Sequence, residues 1–155
     1  MTKDNFPKWL IDLGLVSVLV FLDQIIKFAF STWFSEGDTK EIIKGFFSFE
    51  LVFNQGAVFG ITIDKMLLIT GTVLILAALV FIYFKKLVNR EYLQKLGIVL
   101  IVAGALSNLW DRIFWGHVVD WLKLSFWPAF NFADLLIVAG IFLLGWALLF
   151  QRRSG

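Results

Sequence analysis

Long apolar runs separated by polar connections dominate the pattern of this chain. A helix needs about 20 mostly apolar residues to cross about 30 Å of hydrocarbon, and four segments approach that length, at about 9–30, 66–84, 93–111 and 132–150. In the third segment the apolar run is short, so we expect its helix to begin before Lys95, whose side chain can reach the headgroups. The pattern predicts an all-α membrane protein with four transmembrane helices.

The connection between the first two segments, at about 31–65, follows a different pattern. Residues 45–54 (GFFSFELVFN) are rich in aromatic and β-branched side chains with partial alternation, and the run breaks at Gln55-Gly56. Such a run is typical of short strands. We therefore expect a small β-rich loop domain on the helices, within a single membrane-embedded domain that spans residues 1–155.

Composition supports a membrane environment and narrows the chemistry. The chain is 59% hydrophobic and 17% charged over 155 residues. A soluble protein of this size could not bury so many apolar side chains away from water. A net charge of +2 is too small to suggest a nucleic-acid partner. The absence of cysteine excludes thiol catalysis, and a single histidine excludes any site built on two.

Basic residues predict the orientation. Lysine and arginine favour the cytoplasmic side of membrane proteins. Four-span topology places three basic clusters on one side: Lys3 and Lys8; Lys85, Lys86, Arg90 and Lys95; Arg152 and Arg153. We expect both termini in the cytoplasm and the β-rich loop on the extracytoplasmic face.

Polar residues within the predicted spans are costly and ask for a reason. In the third span, Gly104, Ser107, Asn108 and Asp111 share one helical face. Close helix packing explains the small residues, whereas Asn108 and Asp111 favour a polar cavity.

Two further pairs each allow a structural and a chemical interpretation. Asp23 and Lys27 stand at i, i+4 spacing in the first span, where they could simply neutralise each other. Asn131 and Asp134 open the fourth span at the spacing of a capping box.

Asp120 has a weaker structural explanation. We expect a loop carboxylate within a β-like apolar run (GHVVDW), without an evident partner, and burial there would raise its pKa. With no HExxH or GxSxG sequence present, carboxylates remain as catalysts. Two neighbouring carboxyls that share a proton supply a general base and a general acid. Spacing alone does not show whether Asp120 and Asp134 meet.

Five motifs resemble those of the lipoprotein signal peptidases (signal peptidase II) and stand in the family's order over nearly the whole chain. They are D-Q-x-x-K at 23–27, N-x-G-A-x-F-G at 54–60, G-A-L-S-N-x-x-D-R at 104–112, G-x-V-V-D at 116–120 and P-x-F-N-x-A-D at 128–134.

The resemblance implies an aspartic endopeptidase of the bacterial cytoplasmic membrane that removes signal peptides from diacylglyceryl-modified prolipoproteins, just before the lipidated cysteine. It implies no metal, no cofactor, inhibition by cyclic peptides such as globomycin, and by default a monomer. Carried onto this sequence, the residue roles are as follows: catalytic, Asp120 and Asp134; substrate-binding, Asn54, Gly56, Asn108, Arg112 and Asn131; supporting, Asp23, Lys27, Gly104 and Asp111.

Some positions depart from the family's pattern. Ser107 replaces the usual glycine, which predicts a looser helix contact; Trp121 and Leu135 replace the usual residues after the two aspartates; and the segment between the aspartates is shorter. Two other functions also fit the residues alone, a proton-coupled transporter and a non-enzymatic membrane scaffold. Asp12 has no explanation in the sequence.

Overall fold

Four long apolar helices carry the fold. The computed structural model describes residues 7–58, 61–85 and 92–151, and within these ranges four helices are long and apolar enough to cross a membrane. The helices are α1 Lys8–Trp33, α2 Lys65–Phe84, α3 Tyr92–Phe114 and α4 Phe132–Gln151. All four overlap the predicted spans.

A small antiparallel sheet joins the two connections on one side of the bundle. Its strands are β1 Thr39–Ile43, β2 Phe47–Asn54, β5 Val118–Leu124 and β6 Trp127–Phe130, in the order β1-β2-β5-β6. Strands β3 Ala57–Val58 and β4 Ile61–Thr62 form a separate pair. The strands expected at 45–54 are present, and the connection between α3 and α4 adds a hairpin to them.

Helix α3 is the centre of the bundle and packs against each of the other helices. In the most apolar 18-residue stretch of α3, 61% of residues are buried, against 6% in that of α2. Helices α3 and α4 approach so closely that a Cβ on Gly104 would lie 2.3 Å from the carbonyl oxygen of Ala133, and one on Gly140 would lie 2.6 Å from that of Gly97. Small residues thus allow the backbones to meet, as the packing interpretation predicted.

Two positions differ from the expectations. Helix α3 continues beyond the predicted end at about 111 to Phe114, so Arg112 belongs to the helix, and Gly116, two residues after the last helical residue, has φ +82°. Asp120 lies within strand β5 and not in a loop. The basic residues Lys3, Lys86, Arg90, Arg152 and Arg153, like positions 59 and 60 of the second motif, lie outside the described residues.

Candidate active site

The sheet register brings Asp120 to Asn54. Asp120 pairs with Val52 across β2 and β5, so Asn54, two residues further along β2, lies on the same face as a diagonal neighbour. The Nδ2 of Asn54 donates to Oδ2 of Asp120 at 2.9 Å. The expectation that Asp120 lacks a partner was therefore wrong, because the partner comes from the other connection.

Asn131 connects the two aspartates. Its Nδ2 donates to Oδ1 of Asp120 at 2.7 Å. Its Oδ1 accepts the backbone N–H of Asp134 at 2.9 Å, while its own N–H donates to Oδ2 of Asp134 at 3.1 Å. This reciprocal pair is a capping box, so Asp134 caps α4 and faces Asp120 at the same time. One asparagine thus holds both carboxyls, that of Asp120 through its side-chain amide and that of Asp134 through its backbone N–H.

Asn108 holds the second oxygen of Asp134. Its Nδ2 donates to Oδ1 of Asp134 at 2.8 Å, and its Oδ1 accepts from Nδ2 of Asn131 at 3.2 Å and from Nζ of Lys27 at 2.9 Å. The amide is therefore oriented by a cation on one side and presents its own donors to a carboxylate on the other.

A buried ion cluster lies beneath this layer. The Nζ of Lys27 is 2.7 Å from Oδ2 of Asp23 and 2.8 Å from Oδ2 of Asp111, and all three side chains are almost fully buried. The i, i+4 neutralisation expected for Asp23 and Lys27 is present, but Asp111 makes it a three-residue cluster. Asp23 also accepts the backbone N–H of Ala133 at 2.9 Å, which ties the start of α4 to α1.

Two residues of this cluster were absent from the predicted site. Gln24 donates through Nε2 to Oδ1 of Asp111 at 2.7 Å and to Oγ of Ser107 at 2.9 Å. Ser107 in turn donates to Oδ2 of Asp23 at 2.6 Å and is fully buried. The looser helix contact expected at Ser107 stays a prediction. The sequence did contain a sign of this role, because Gln24 is a polar amide directly after Asp23 in an otherwise apolar span.

The environment of Asp120 changes its acidity. Its side chain is buried, with 2% of the residue exposed. Burial raises its pKa to about 7, and the nearby charge of Asp134 adds to that rise. Hydrogen bonds from Asn54 and Asn131 and the charge of Lys27 oppose it. Asp120 can therefore exchange a proton near neutral pH.

Gly56 and Arg112 stand at the edge of the two carboxyls. The N–H of Gly56 donates to Oδ1 of Asn54 at 2.9 Å, which turns the Nδ2 of that amide toward Asp120. Gly56 has φ +106°, a conformation that favours glycine. Arg112 reaches the carbonyl oxygen of Asn108 through Nη1 at 3.4 Å, and its buried Nε has no hydrogen-bond partner among the described residues.

The arrangement combines two carboxyls with a ring of neutral donors. Among residues 7–58, 61–85 and 92–151, no group of three or more acidic or histidine side chains is placed to hold a metal ion. The structure brings together Asp120, Asp134, Asn54, Asn108 and Asn131, with Lys27, Asp23 and Asp111 beneath them. Such a pair can accept one proton and donate another in the same reaction.

Comparisons with known proteins agree over nearly the whole chain. The family model for Signal peptidase (SPase) II matches residues 15–150. The lipoprotein signal peptidase of Pelotomaculum thermopropionicum is 40% identical over 136 residues, which cover 87% of this chain and 89% of that protein. That of Moorella thermoacetica is 37% identical, with 87% and 91% covered. A solved bacterial membrane enzyme is 30% identical and matches with a TM-score of 0.81, covering 99% of this chain and 94% of that one.

Proposed function

Because this chain belongs to the signal peptidase II family, the lipoprotein signal peptidases, we propose that Asp120 and Asp134 are its catalytic pair and cut prolipoproteins just before the lipidated cysteine. Family membership makes the chain an aspartic peptidase and a multi-pass bacterial membrane protein. It also decides against the transporter and scaffold alternatives. The observation that carries the assignment of the pair is the single asparagine, Asn131, that hydrogen-bonds to both carboxyls.

The pair acts on a water molecule. One carboxylate accepts a proton from the water as its oxygen attacks the peptide carbonyl that precedes the lipidated cysteine. The protonated partner donates to the carbonyl oxygen, and a proton passes to the leaving amine as the tetrahedral intermediate collapses. Each carboxylate oxygen of Asp120 and Asp134 accepts one hydrogen bond from the protein, which leaves lone pairs for water and substrate. No covalent bond to the enzyme forms.

Hydrogen-bond donors around Asp120 and Asp134 position the substrate. Arg112, whose Nε–H has no hydrogen-bond partner among the described residues, can donate to a carbonyl of the extended substrate peptide when its side chain turns toward it. Asn54 is the last residue of β2, hydrogen-bonded to Asp120, and can bind the same peptide when it enters beneath the sheet. Fixing the scissile bond beside the two carboxyls lowers the entropic part of the barrier.

The substrate and the surroundings of the site follow from the same proposal. The diacylglyceryl chains of the prolipoprotein lie in the bilayer beside the helices, and its peptide lies at the extracytoplasmic face. Cyclic peptides such as globomycin would inhibit by occupying the pair. The enzyme acts as a monomer, because residues from α1, α3, α4 and the sheet of one chain complete the site.

The decisive experiment compares cleavage of a diacylglyceryl-modified prolipoprotein with that of its unlipidated precursor by purified protein. We expect cleavage of the lipidated form alone. Asp120→Asn and Asp134→Asn should each lower kcat by roughly 10²–10⁴-fold, the range of general acid–base catalysis, with helical circular dichroism unchanged. Glu36→Gln, at an exposed acid in the same connection as β1, is the matched control. Substantial activity in either aspartate variant would overturn the assignment.

The orientation can be tested separately because the chain contains no cysteine. Single variants Glu36→Cys and Lys85→Cys place one thiol at each end of the bundle, both at exposed positions. In spheroplasts a membrane-impermeant maleimide should label Cys at position 36 and reach position 85 only after lysis. The opposite pattern would place the site on the cytoplasmic side.

A further inference from the structure

An apolar cavity lies at the end of the bundle opposite to Asp120 and Asp134. Its volume is about 340 Å³, and it opens between α1 and α2 with α3 as its floor. We call it the α1–α2 groove, and its apolar walls include Trp9, Leu13, Val16, Val80, Phe84 and Val99. The residues of α1 that line it precede Asp23, and those of α3 precede Ser107, so the groove shares no residue with the site already described.

A polar pair closes this apolar groove at one point. The hydroxyl of Tyr83 donates to Oδ2 of Asp12, and both residues line the cavity. This contact joins α1 to α2 and gives Asp12, which the sequence left unexplained, a partner. Lys85 follows Phe84 directly and ends α2 at the same end of the bundle, with its Nζ 5.4 Å from the centre of the Phe81 ring. An ammonium at this end of a helix can pair with a lipid phosphate.

The dimensions of the groove decide between two apolar occupants. On α1 it extends from Trp9 to Val16, about 10 Å at the helical rise of 1.5 Å per residue. A helix about 10 Å across would need about 800 Å³ over that length, more than twice the volume present. A polymethylene chain is only about 4–5 Å across by van der Waals contact, and fits. One acyl chain therefore fits inside the groove, whereas a signal-peptide helix would lie mostly outside it.

The groove opens sideways. Leu13 and Phe84 on its two rims are 53% and 63% exposed, and in a membrane this face meets hydrocarbon. We propose that the α1–α2 groove binds one acyl chain of a membrane glycerophospholipid, with the lipid phosphate near Lys85. Its placement in the cytoplasmic leaflet rests on the proposed orientation; the site itself does not rest on the proposed reaction.

Photocrosslinking tests this site without reference to peptidase activity. The full chain is reconstituted in vesicles of phosphatidylethanolamine and phosphatidylglycerol that contain a trace of phospholipid with a diazirine on its acyl chain. After irradiation, labelled peptides are mapped by mass spectrometry. We expect labels on the floor residues Val99 and Val102, which general lipid contact with the outer surface of α2 would not reach. Labels confined to exposed surfaces would overturn the proposal.

Two variants on one face of α2 provide the control. Val80→Trp fills the groove from its rim, whereas Val73→Trp adds the same side chain seven positions earlier, outside the groove; the two valines are 44% and 46% exposed. Val80→Trp should lower labelling of Val99 about fivefold or more, because the indole takes the volume that the chain needs. Equal labelling in both variants would refute the site.

A variant on the opposite rim and a competition experiment complete the test of the α1–α2 groove. Leu13→Trp, on the opposite rim, should reproduce the effect if Val80→Trp fails to fold, and its failure to do so would count against the site. An excess of diacylglyceryl-modified prolipopeptide should leave the labelling of Val99 unchanged. Loss of label on its addition would mean that the groove holds the substrate's own chains, and would also overturn the proposal.

Discussion

Asp23, in the middle of α1, accepts the backbone N–H of Ala133 at the start of α4, with a distance of 2.9 Å between oxygen and nitrogen. The first N–H groups of a helix have no partner within the helix, and here a carboxylate 110 residues away along the chain accepts one of them. The next residue of α4 is Asp134. The buried ion cluster therefore does more than neutralise itself, because it fixes the helix that presents one of the two proposed catalytic carboxyls.

Lys27→Met should destabilise the protein strongly. The substitution removes the cation shared by Asp23 and Asp111 and leaves two buried carboxylates together. Breaking a buried ion pair on one side costs roughly 3–5 kcal/mol, so we expect a large fall in the thermal midpoint in detergent. Lys40→Met, at an exposed position of β1, is the control and should change it little. Similar midpoints for the two variants would contradict the role given to the cluster.

Gly104→Ala should separate α3 from α4 at the level of the site. The new Cβ would lie 2.3 Å from the carbonyl oxygen of Ala133, a backbone atom that moves only if α4 moves. We expect lower thermal stability and a fall in kcat, because Asp134 shifts with the helix. Gly145→Ala, also in α4 but with nothing within 4 Å of the added Cβ, should be neutral or stabilise the helix by up to about 1 kcal/mol.

The sequence predicted the helices well and the contacts between them only in part. Apolar length alone located α1 to α4, because lipid requires every span to satisfy its own backbone. The partners of Asp120 could not be predicted, because they come from β2 and α4 through a sheet register that no local pattern specifies. The partner of Trp121 could not be predicted either, because its ring stacks on that of Phe30 in a distant segment, with the ring centroids 4.3 Å apart.

The activity should decline above neutral pH. Peptide hydrolysis by the pair needs one shared proton, and the pKa of Asp120, raised by burial and by the charge of Asp134, is about 7. As the pH rises through that value the shared proton is lost, so kcat/KM should fall by about tenfold per pH unit on the basic limb. The apparent pKa belongs to the pair. A profile flat from pH 6 to 9 would contradict this assignment.

Asn54→Ala should move that limb to higher pH. Its amide donates to Asp120 and favours the ionised form, so its loss raises the pKa of Asp120 further. The limb is measured in the same assay as kcat/KM against pH. Gln55→Ala, at the adjacent exposed position, should leave it in place. A limb that moves to lower pH in Asn54→Ala would show that the hydrogen bond does not act on the titrating group.

Ser107 allows the contribution of one hydroxyl to the buried cluster to be measured, because the family's usual glycine at this position lacks that hydroxyl. In this chain Oγ of Ser107 donates to Asp23 and accepts from Gln24, so Ser107→Ala leaves a buried carboxylate and a half-buried amide each short of one partner. The expected loss is about 1–3 kcal/mol, measured as a lower thermal midpoint with kcat less affected, since neither proposed catalytic carboxyl contacts Ser107. Ser107→Gly should lose more, because glycine in a helix costs about 1 kcal/mol relative to alanine. A thermal midpoint of Ser107→Gly equal to that of the parent would show that the hydroxyl does not stabilise the protein, and that Lys27 and Gln24 alone hold the buried carboxylates in place.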